Sequence, residues 1–246
     1  MKITHHHWWV PSLAREMHIN RYGESGAAFL AFPAQEGDHR NLESFGLIES
    51  IADYIDAGRI QVFTVDSYDA ESWTSRSLPP WERGPRYEAY VHYILNEVLP
   101  FIRTLTAAPI WTTGVSMGAY HAANFLFRFP HSFAGTIALS GVYELTEFLG
   151  EYSDEIVYFN SPLWFLPNLT DPYYLDELRK KTIILCVGQG EWEEPMLTQT
   201  RQMAEILSQK GIPAWVDIWG PDVHHDWPWW RKQLPYFIER GLLATL

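Results

Sequence analysis

Two hydrophobic rhythms alternate along the chain. Residues 5–10 and 16–22 read as a pair of antiparallel strands joined around Pro11-Ser12. Ala27 to Phe32 is a short apolar run of the length of a buried strand, followed by a loop carrying Pro33 and Gly37. A helical period then takes over, and Leu47, Ile48, Ile51 and Ile55 share one face of a helix predicted over 42–57. A strand over 60–65 leads into a long loop over 66–84. A second helical period runs through Tyr90, Ile94, Leu95, Val98 and Phe101 and predicts a helix over 86–104, with Pro100 as a kink or stop near its end. The strand predicted over 109–113 enters Gly114-Val115-Ser116-Met117-Gly118 and then a helix that Pro130 terminates. A strand over 133–139 follows. Residues 142–181 are irregular and rich in aromatics, proline and aspartate, which predicts an inserted cap of short helices. Regularity then returns as strand 182–187, helix 195–210, strand 214–219 and helix 226–243.

Strands alternating with helices at this spacing predict an α/β fold, a mostly parallel central sheet with helices on both faces. At 246 residues the chain fits one domain spanning 1–246, with the cap insertion inside it. A hydrophobic share of 47% against 20% charged excludes a disordered chain, and Cys186, the lone cysteine, excludes a disulfide scaffold. No stretch of 18 uncharged apolar residues exists to span a membrane. The first residues carry no apolar signal core, so the cytoplasm is the expected compartment. A net charge of −12 with no cluster of Lys and Arg argues against nucleic acid and against anionic membrane as partners. His5, His6 and His7 run directly into Trp8-Trp9 and read as strand residues. A metal site would need further ligands at defined spacing, and none stands near them in the sequence, so no metal is expected. No phosphate-binding glycine loop or dinucleotide fingerprint appears, and no cofactor is implied.

The chemistry concentrates at three points. Gly114-x-Ser116-x-Gly118 lies between a predicted strand and a predicted helix, the context of a sharp turn that lifts the serine above the sheet. Side chains two residues either side would collide there, hence the glycines. At the start of a helix, free N–H groups and the helix dipole favour developing negative charge. A serine hydroxyl needs a base, and Asp222-Val223-His224-His225-Asp226-Trp227 offers two. His225 is favoured because it directly precedes Asp226, the expected helix N-cap, and His224 is the alternative. The acid that orients the histidine is sought in Gly188-Gln189-Gly190-Glu191-Trp192-Glu193-Glu194. Glu191 lies nearest the strand end and is the expected acid, with Glu193 and Glu194 as alternatives. An oxyanion hole needs two backbone N–H groups, expected from Met117 and from Ala34, with Gln35 as the other candidate on that loop. The chain order Ser, acid, His is the order of α/β-hydrolases. All three follow predicted strands, at the edge where open α/β sheets bind ligands.

With Ala138-Leu139-Ser140-Gly141 and His225-Asp226-Trp227 added, the chain resembles the putative-esterase family, the esterase D-like branch of the α/β-hydrolase superfamily. The branch is similar to feruloyl esterases and mycobacterial mycolyltransferases. Val65-Asp66-Ser67, Glu71-Ser72-Trp73 and Tyr158-Phe159-Asn160-Ser161-Pro162 look like a compact bacterial subgroup of it. The resemblance implies Ser116 as nucleophile and His225 as base. Glu191 falls where the family usually has Asp, and Pro33-Ala34-Gln35-Glu36-Gly37 replaces a smaller, Gly-rich turn.

The chain holds 12 tryptophans, 13 tyrosines and 13 phenylalanines, and their placement matters more than their number. Trp73, Trp164, Trp192 and Trp227 fall in loops or the cap around the catalytic edge and, with Gln35 and Asp66, are expected to line the substrate site. His121, on the helix after Ser116, reads as a core histidine, and Cys186 as a buried strand residue. The expected function is a cofactor-independent serine esterase acting on a small-molecule ester. An acyltransferase of the same family and a degenerate hydrolase serving as a ligand-binding module are the alternatives, and homo-oligomerisation is left open.

Overall fold

The computed structural model describes residues 1–243; the last three positions of the expected 1–246 unit lie outside the described residues. Eight strands form one sheet: β1 (Ile3–Val10), β2 (Arg15–Tyr22), β3 (Ala27–Phe32), β4 (Ile60–Val65), β5 (Ile110–Val115), β6 (Gly135–Leu139), β7 (Thr182–Val187) and β8 (Trp215–Ile218). Their spatial order is β1-β2-β4-β3-β5-β6-β7-β8. β2 pairs antiparallel with both β1 and β4, and from β4 to β8 all neighbours run parallel.

The strand period of two divides each central strand between two cores. Leu30, Phe63, Ala138 and Leu185 face a core shared with the helix Met117–Arg128 and with Met203 and Leu207 of the helix Glu194–Gln209. Phe29, Val62, Ile137 and Ile184 face the other, closed by Leu47, Ile51 and Ile55 and by Trp230, Leu234 and Phe237 of the helix Trp227–Phe237. Helices therefore cover both faces.

Three expected helices differ in detail. The helix expected over 42–57 is broken: one turn, Asn41–Ser44, ends at Gly46, and regular structure resumes only at Glu49–Ile51 and Ala52–Asp56. Gly46 adopts φ 75°, its N–H donates to Glu43 O, and Leu47 N–H donates back to Leu42 O, the paired bonds of a glycine-terminated helix. The apolar face survives because Leu47, Ile48, Ile51 and Ile55 are all buried. The helix expected over 86–104 begins earlier, at Pro80, where proline at the first helical position loses no hydrogen bond. Its far part widens to a π-turn over Ile94–Val98 before continuing as Leu99–Leu105, so the ladder passes Pro100 without a stop. The helix expected over 226–243 is α-helical only over Trp227–Phe237 and turns to a π-helix over Ile238–Leu243. Residues 142–181 form short helices, Thr146–Leu149, Glu155–Phe159, Pro162–Phe165 and Pro172–Arg179.

Parallel register sets the working edge. Val115 pairs with Leu139, and Leu139 with Cys186, so the residues leaving β5, β6 and β7 emerge side by side. Ser116 N–H donates to Leu139 O at 2.9 Å and Ser140 N–H to Cys186 O at 2.7 Å, extending the ladder one residue past each strand.

Candidate active site

Ser116 sits at φ 56° and ψ −124°, a conformation L-residues rarely adopt, between β5 and the helix Met117–Arg128. The turn is possible because its flanks carry no Cβ. A Cβ on Gly114 would run into the Gly118 backbone, and one on Gly118 into the carbonyl oxygens of Phe32 and Pro33. The glycines thus let the turn close and bring the loop after β3 against it.

The Ser116 hydroxyl donates to His225 Nε2 at 2.9 Å. The other ring nitrogen, Nδ1, donates to Glu193 Oε2 at 3.2 Å. A carboxylate only accepts, so Nδ1 carries the proton and Nε2 presents its lone pair to the serine. Glu193 is fully buried and its second oxygen is also occupied: Ser140 Oγ donates to Oε1 at 2.7 Å and Gly188 N–H at 3.3 Å. Ser140 in turn accepts from Trp230 Nε1 at 3.1 Å, and the Trp230 indole packs edge-on against the His225 ring at 4.9 Å. A hydroxyl bonded to an imidazole whose far nitrogen faces a buried carboxylate is set to give up its proton to that ring.

Glu191, the expected acid, is not the residue brought to His225. Its N–H donates to His224 Nδ1 at 2.8 Å, its carbonyl accepts from His225 N–H at 3.0 Å, and its side chain is exposed. The reason is the path of the loop. Gly190 N–H donates to Val223 O, zipping the loop main chain to the histidine segment, and Trp192 at φ 66° then turns the chain inward, so Glu193 buries. A Cβ on Gly188 or Gly190 would meet Val223 O, so both glycines are needed for this approach. Glu194 starts the next helix and is exposed, while His224 is the partner of the Glu191 amide.

The loop after β3 also departs from expectation. Ala34 N–H is taken by Asn41 Oδ1 at 3.1 Å and is not free for a ligand. Glu36 N–H donates to Asp69 Oδ2 at 3.0 Å. Between them, Gln35 N–H has no protein partner among the described residues, and neither has Met117 N–H. The loop is pinned from behind, because Asp69 Oδ1 accepts from His121 Nε2 at 2.8 Å and Tyr87 OH meets His121 Nδ1 at 2.9 Å. His121 is a buried histidine with both nitrogens partnered.

A cavity of about 200 Å³ lies over Ser116, lined by Gln35, Met117, Ser140, Val142, Phe148, Met196, His225 and the exposed Trp192 and Glu147. Gln35 and Trp192 are where the sequence places them. Four others are not. Asp66 is buried and holds His39 and His18 N–H; Trp73 is buried against Tyr87 at 4.9 Å. Trp164 lines a separate groove with Gln199 and Ile206, and Trp227 stacks on Phe45 at 4.4 Å. Val142, Phe148 and Met196 are ordinary apolar residues in the sequence and carry no signal there. Ser140 and Trp230 were equally silent as site residues, although Ser140 ends a strand at the same edge.

Away from this cavity, pairing of β1 with β2 and the loop after β3 brings His18 and His39 beside His5, with one ring nitrogen of each within 4.8 Å of the others. The expectation that the N-terminal histidines have no companions overlooked this strand pairing.

Solved structures share the architecture. A ferulic acid esterase superposes with TM-score 0.76 at 15% identity, covering 96% of this chain and 95% of its own. An S-formylglutathione hydrolase from Agrobacterium tumefaciens gives 0.72 at 15% identity (97% and 95% covered), and one from Staphylococcus aureus 0.68 at 14% (97% and 95%). No curated protein sequence matches the chain. Sheet order and neighbours define an α/β-hydrolase fold. A family model described as "Putative esterase" matches residues 22–238. The chain belongs to that family of esterases.

Proposed function

We propose that Ser116, His225 and Glu193 form a catalytic triad that hydrolyses a small carboxylic ester through an acyl-enzyme. The observation that carries this reading is the continuous line from Ser116 Oγ to His225 (2.9 Å) to the buried Glu193 carboxylate (3.2 Å). Ser116 Oγ attacks the ester carbonyl carbon while its proton passes to His225 Nε2. The oxyanion so formed is held by the N–H groups of Met117 and Gln35, and a donor of this kind is worth about 10²–10³ in rate. Glu193 stabilises the imidazolium and keeps its orientation. Collapse breaks the C–O bond to the alcohol, which leaves with the proton from His225. Water then attacks the acyl carbon, giving a proton to His225, and the second collapse returns the proton to Ser116 and releases the acid.

Transfer of the acyl group to another alcohol shares the first half of this cycle. Membership of an esterase family favours water as the second nucleophile. An intact proton-relay line favours an enzyme over a ligand-binding module. A cavity of about 200 Å³ walled by Val142, Phe148 and Met196 suits a short acyl group, since about 150 Å³ already accommodates benzene.

Hydrolysis of p-nitrophenyl acetate, butyrate and octanoate, with fluorophosphonate labelling, compares wild type with Ser116→Ala. The expected result is labelling of wild type only and a fall in kcat of about 10⁴ or more. Equal labelling, or undiminished turnover in Ser116→Ala, rejects the assignment. A preference for octanoate over acetate rejects the short-acyl part alone.

A further inference from the structure

We infer that His5, His18 and His39 form a binding site for a transition-metal dication of the zinc class, separate from the ester-hydrolysing site. The three rings come from three segments: β1, β2 and the loop after β3. One nitrogen from each lies within 4.8 Å of the others, and His18 Nδ1 donates to His5 Nε2 at 3.2 Å, a proton that a bound ion would replace. Imidazole nitrogens at about 2.0–2.1 Å from a common ion in tetrahedral array are about 3.4 Å apart, so the His5–His18 pair already has the spacing. The rings stack, His18 on His39 at 5.0 Å with 17° between their planes, so binding also requires them to turn until their in-plane lone pairs converge.

The surrounding hydrogen bonds fix which nitrogen of His5 and of His39 keeps its lone pair. Tyr22 OH donates to Glu43 Oε2 at 2.8 Å, so its oxygen accepts from Asn20 Nδ2 at 3.1 Å. That fixes the amide, turning Asn20 Oδ1 toward His5 Nδ1 at 2.8 Å. His5 Nδ1 therefore carries the proton and Nε2 offers its lone pair. His39 is set in the same sense, because Asp66 Oδ1 accepts from its Nδ1 at 2.7 Å and leaves Nε2 as the ligand atom. A carboxylate or amide oxygen behind the far nitrogen is the arrangement that orients metal-bound histidines and raises their basicity. Asp66 also accepts from His39 N–H at 2.9 Å and His18 N–H at 2.8 Å, so one buried carboxylate fixes two of the three ligand segments.

Charge does not oppose the ion. Arg15 and Arg40 edge the same pocket of about 400 Å³, but Arg15 is paired with Glu71 at 2.8 Å and Arg40 with Asp38 at 2.6 Å. An all-imidazole donor set suits zinc, nickel or copper and disfavours magnesium and calcium, which take oxygen ligands. Three ligands leave the fourth position to water. Bound there, the ion would tie β1 and β2 to the loop that also carries Gln35, two residues before Gly37 and four before His39.

The test is calorimetric titration of the metal-stripped full chain, free of any histidine tag, with zinc chloride and then magnesium chloride. Wild type is expected to bind one equivalent of zinc and no magnesium. His39→Ala and His5→Gln each remove a ligand and should weaken zinc by about 10-fold or more, since even the groups that hold a metal's ligands are worth that much. His5 is exposed on an outer strand, so His5→Gln keeps the fold even where His39→Ala does not. His7→Ala and His225→Ala should bind as wild type does. Absence of saturable zinc binding, wild-type affinity in His5→Gln, or loss of binding in His7→Ala or His225→Ala overturns the inference. The last two would assign the ion to the neighbouring His7, Glu16 and His18 group or to the hydrolytic site.

Discussion

The serine turn and the acid loop supply the two ends of the same hydrogen-bonded line, yet they are built by different means. Around Ser116 the signal is local: Gly114 and Gly118 lie two residues away on either side, Gly114 letting the turn close and Gly118 admitting the loop after β3. Around Glu193 nearly every constraint is distant. Its carboxylate is held by Ser140, 53 positions earlier, and by His225, 32 positions later, and its loop is zipped to Val223. A motif made by local sterics reads directly from spacing. A site made by pairing between remote segments does not, because the fold decides which of three neighbouring carboxylates turns inward.

That contrast can be broken from either side. Gly118→Ala attacks the serine turn, where it meets the loop after β3, and should have the largest effect. Its Cβ meets backbone oxygens of Phe32 and Pro33, which cannot swing aside as a side chain would. A loss of about 3 kcal/mol in urea unfolding is expected. Displacement of the Gln35 loop should cost kcat/KM about 10²-fold. Wild-type stability in this variant would show that the turn does not need the close approach.

Ser140→Ala attacks the distant half more gently. It removes one hydrogen bond to Glu193 and strands the Trp230 N–H, which calls for about 1–3 kcal/mol of destabilisation. A drop in kcat of about tenfold should accompany it, with KM little changed, and steady-state kinetics separates the two. Asn41→Ala releases Ala34 N–H and loosens the loop that presents Gln35. Its expected cost is smaller, about 1 kcal/mol in the transition state, seen as a several-fold fall in kcat/KM. At the bottom of the scale stands Cys186. Burial pushes its thiol well above the usual range, so the thiolate is absent at pH 8 and iodoacetamide should not modify the folded protein. Rapid alkylation without unfolding would contradict the packing of β7.

The strand and helix alternation and both glycines of the serine turn were legible because each follows from a repeat or a spacing of a few residues. The two-faced sheet followed from them. His225 was legible for a related reason: Asp226 caps the next helix by accepting from Trp227 N–H at 2.7 Å and so fixes where that histidine leaves the loop. Proximity to a strand end misjudged which carboxylate meets His225, since Glu191 commits its main chain to the histidine segment and leaves its side chain in solvent. The same gap explains Ala34, whose amide is satisfied by a side chain seven residues on. Tryptophans near the edge in sequence proved poor guides, because Trp73 packs into the core and Trp227 stacks on Phe45 from the segment after β3. The histidines of β1 gained companions only once β2 was laid antiparallel beside them.

The most direct test of the account is a side-by-side comparison of Glu193→Gln and Glu191→Gln, with kcat/KM measured on one short p-nitrophenyl ester. Glutamine keeps the size of the buried side chain and removes its charge. Glu193→Gln is expected to lose about 10³–10⁴-fold, the scale of a triad acid replaced by its amide, while Glu191→Gln stays within about twofold of wild type. A large loss in Glu191→Gln, with Glu193→Gln close to wild type, would contradict the assignment of the buried carboxylate.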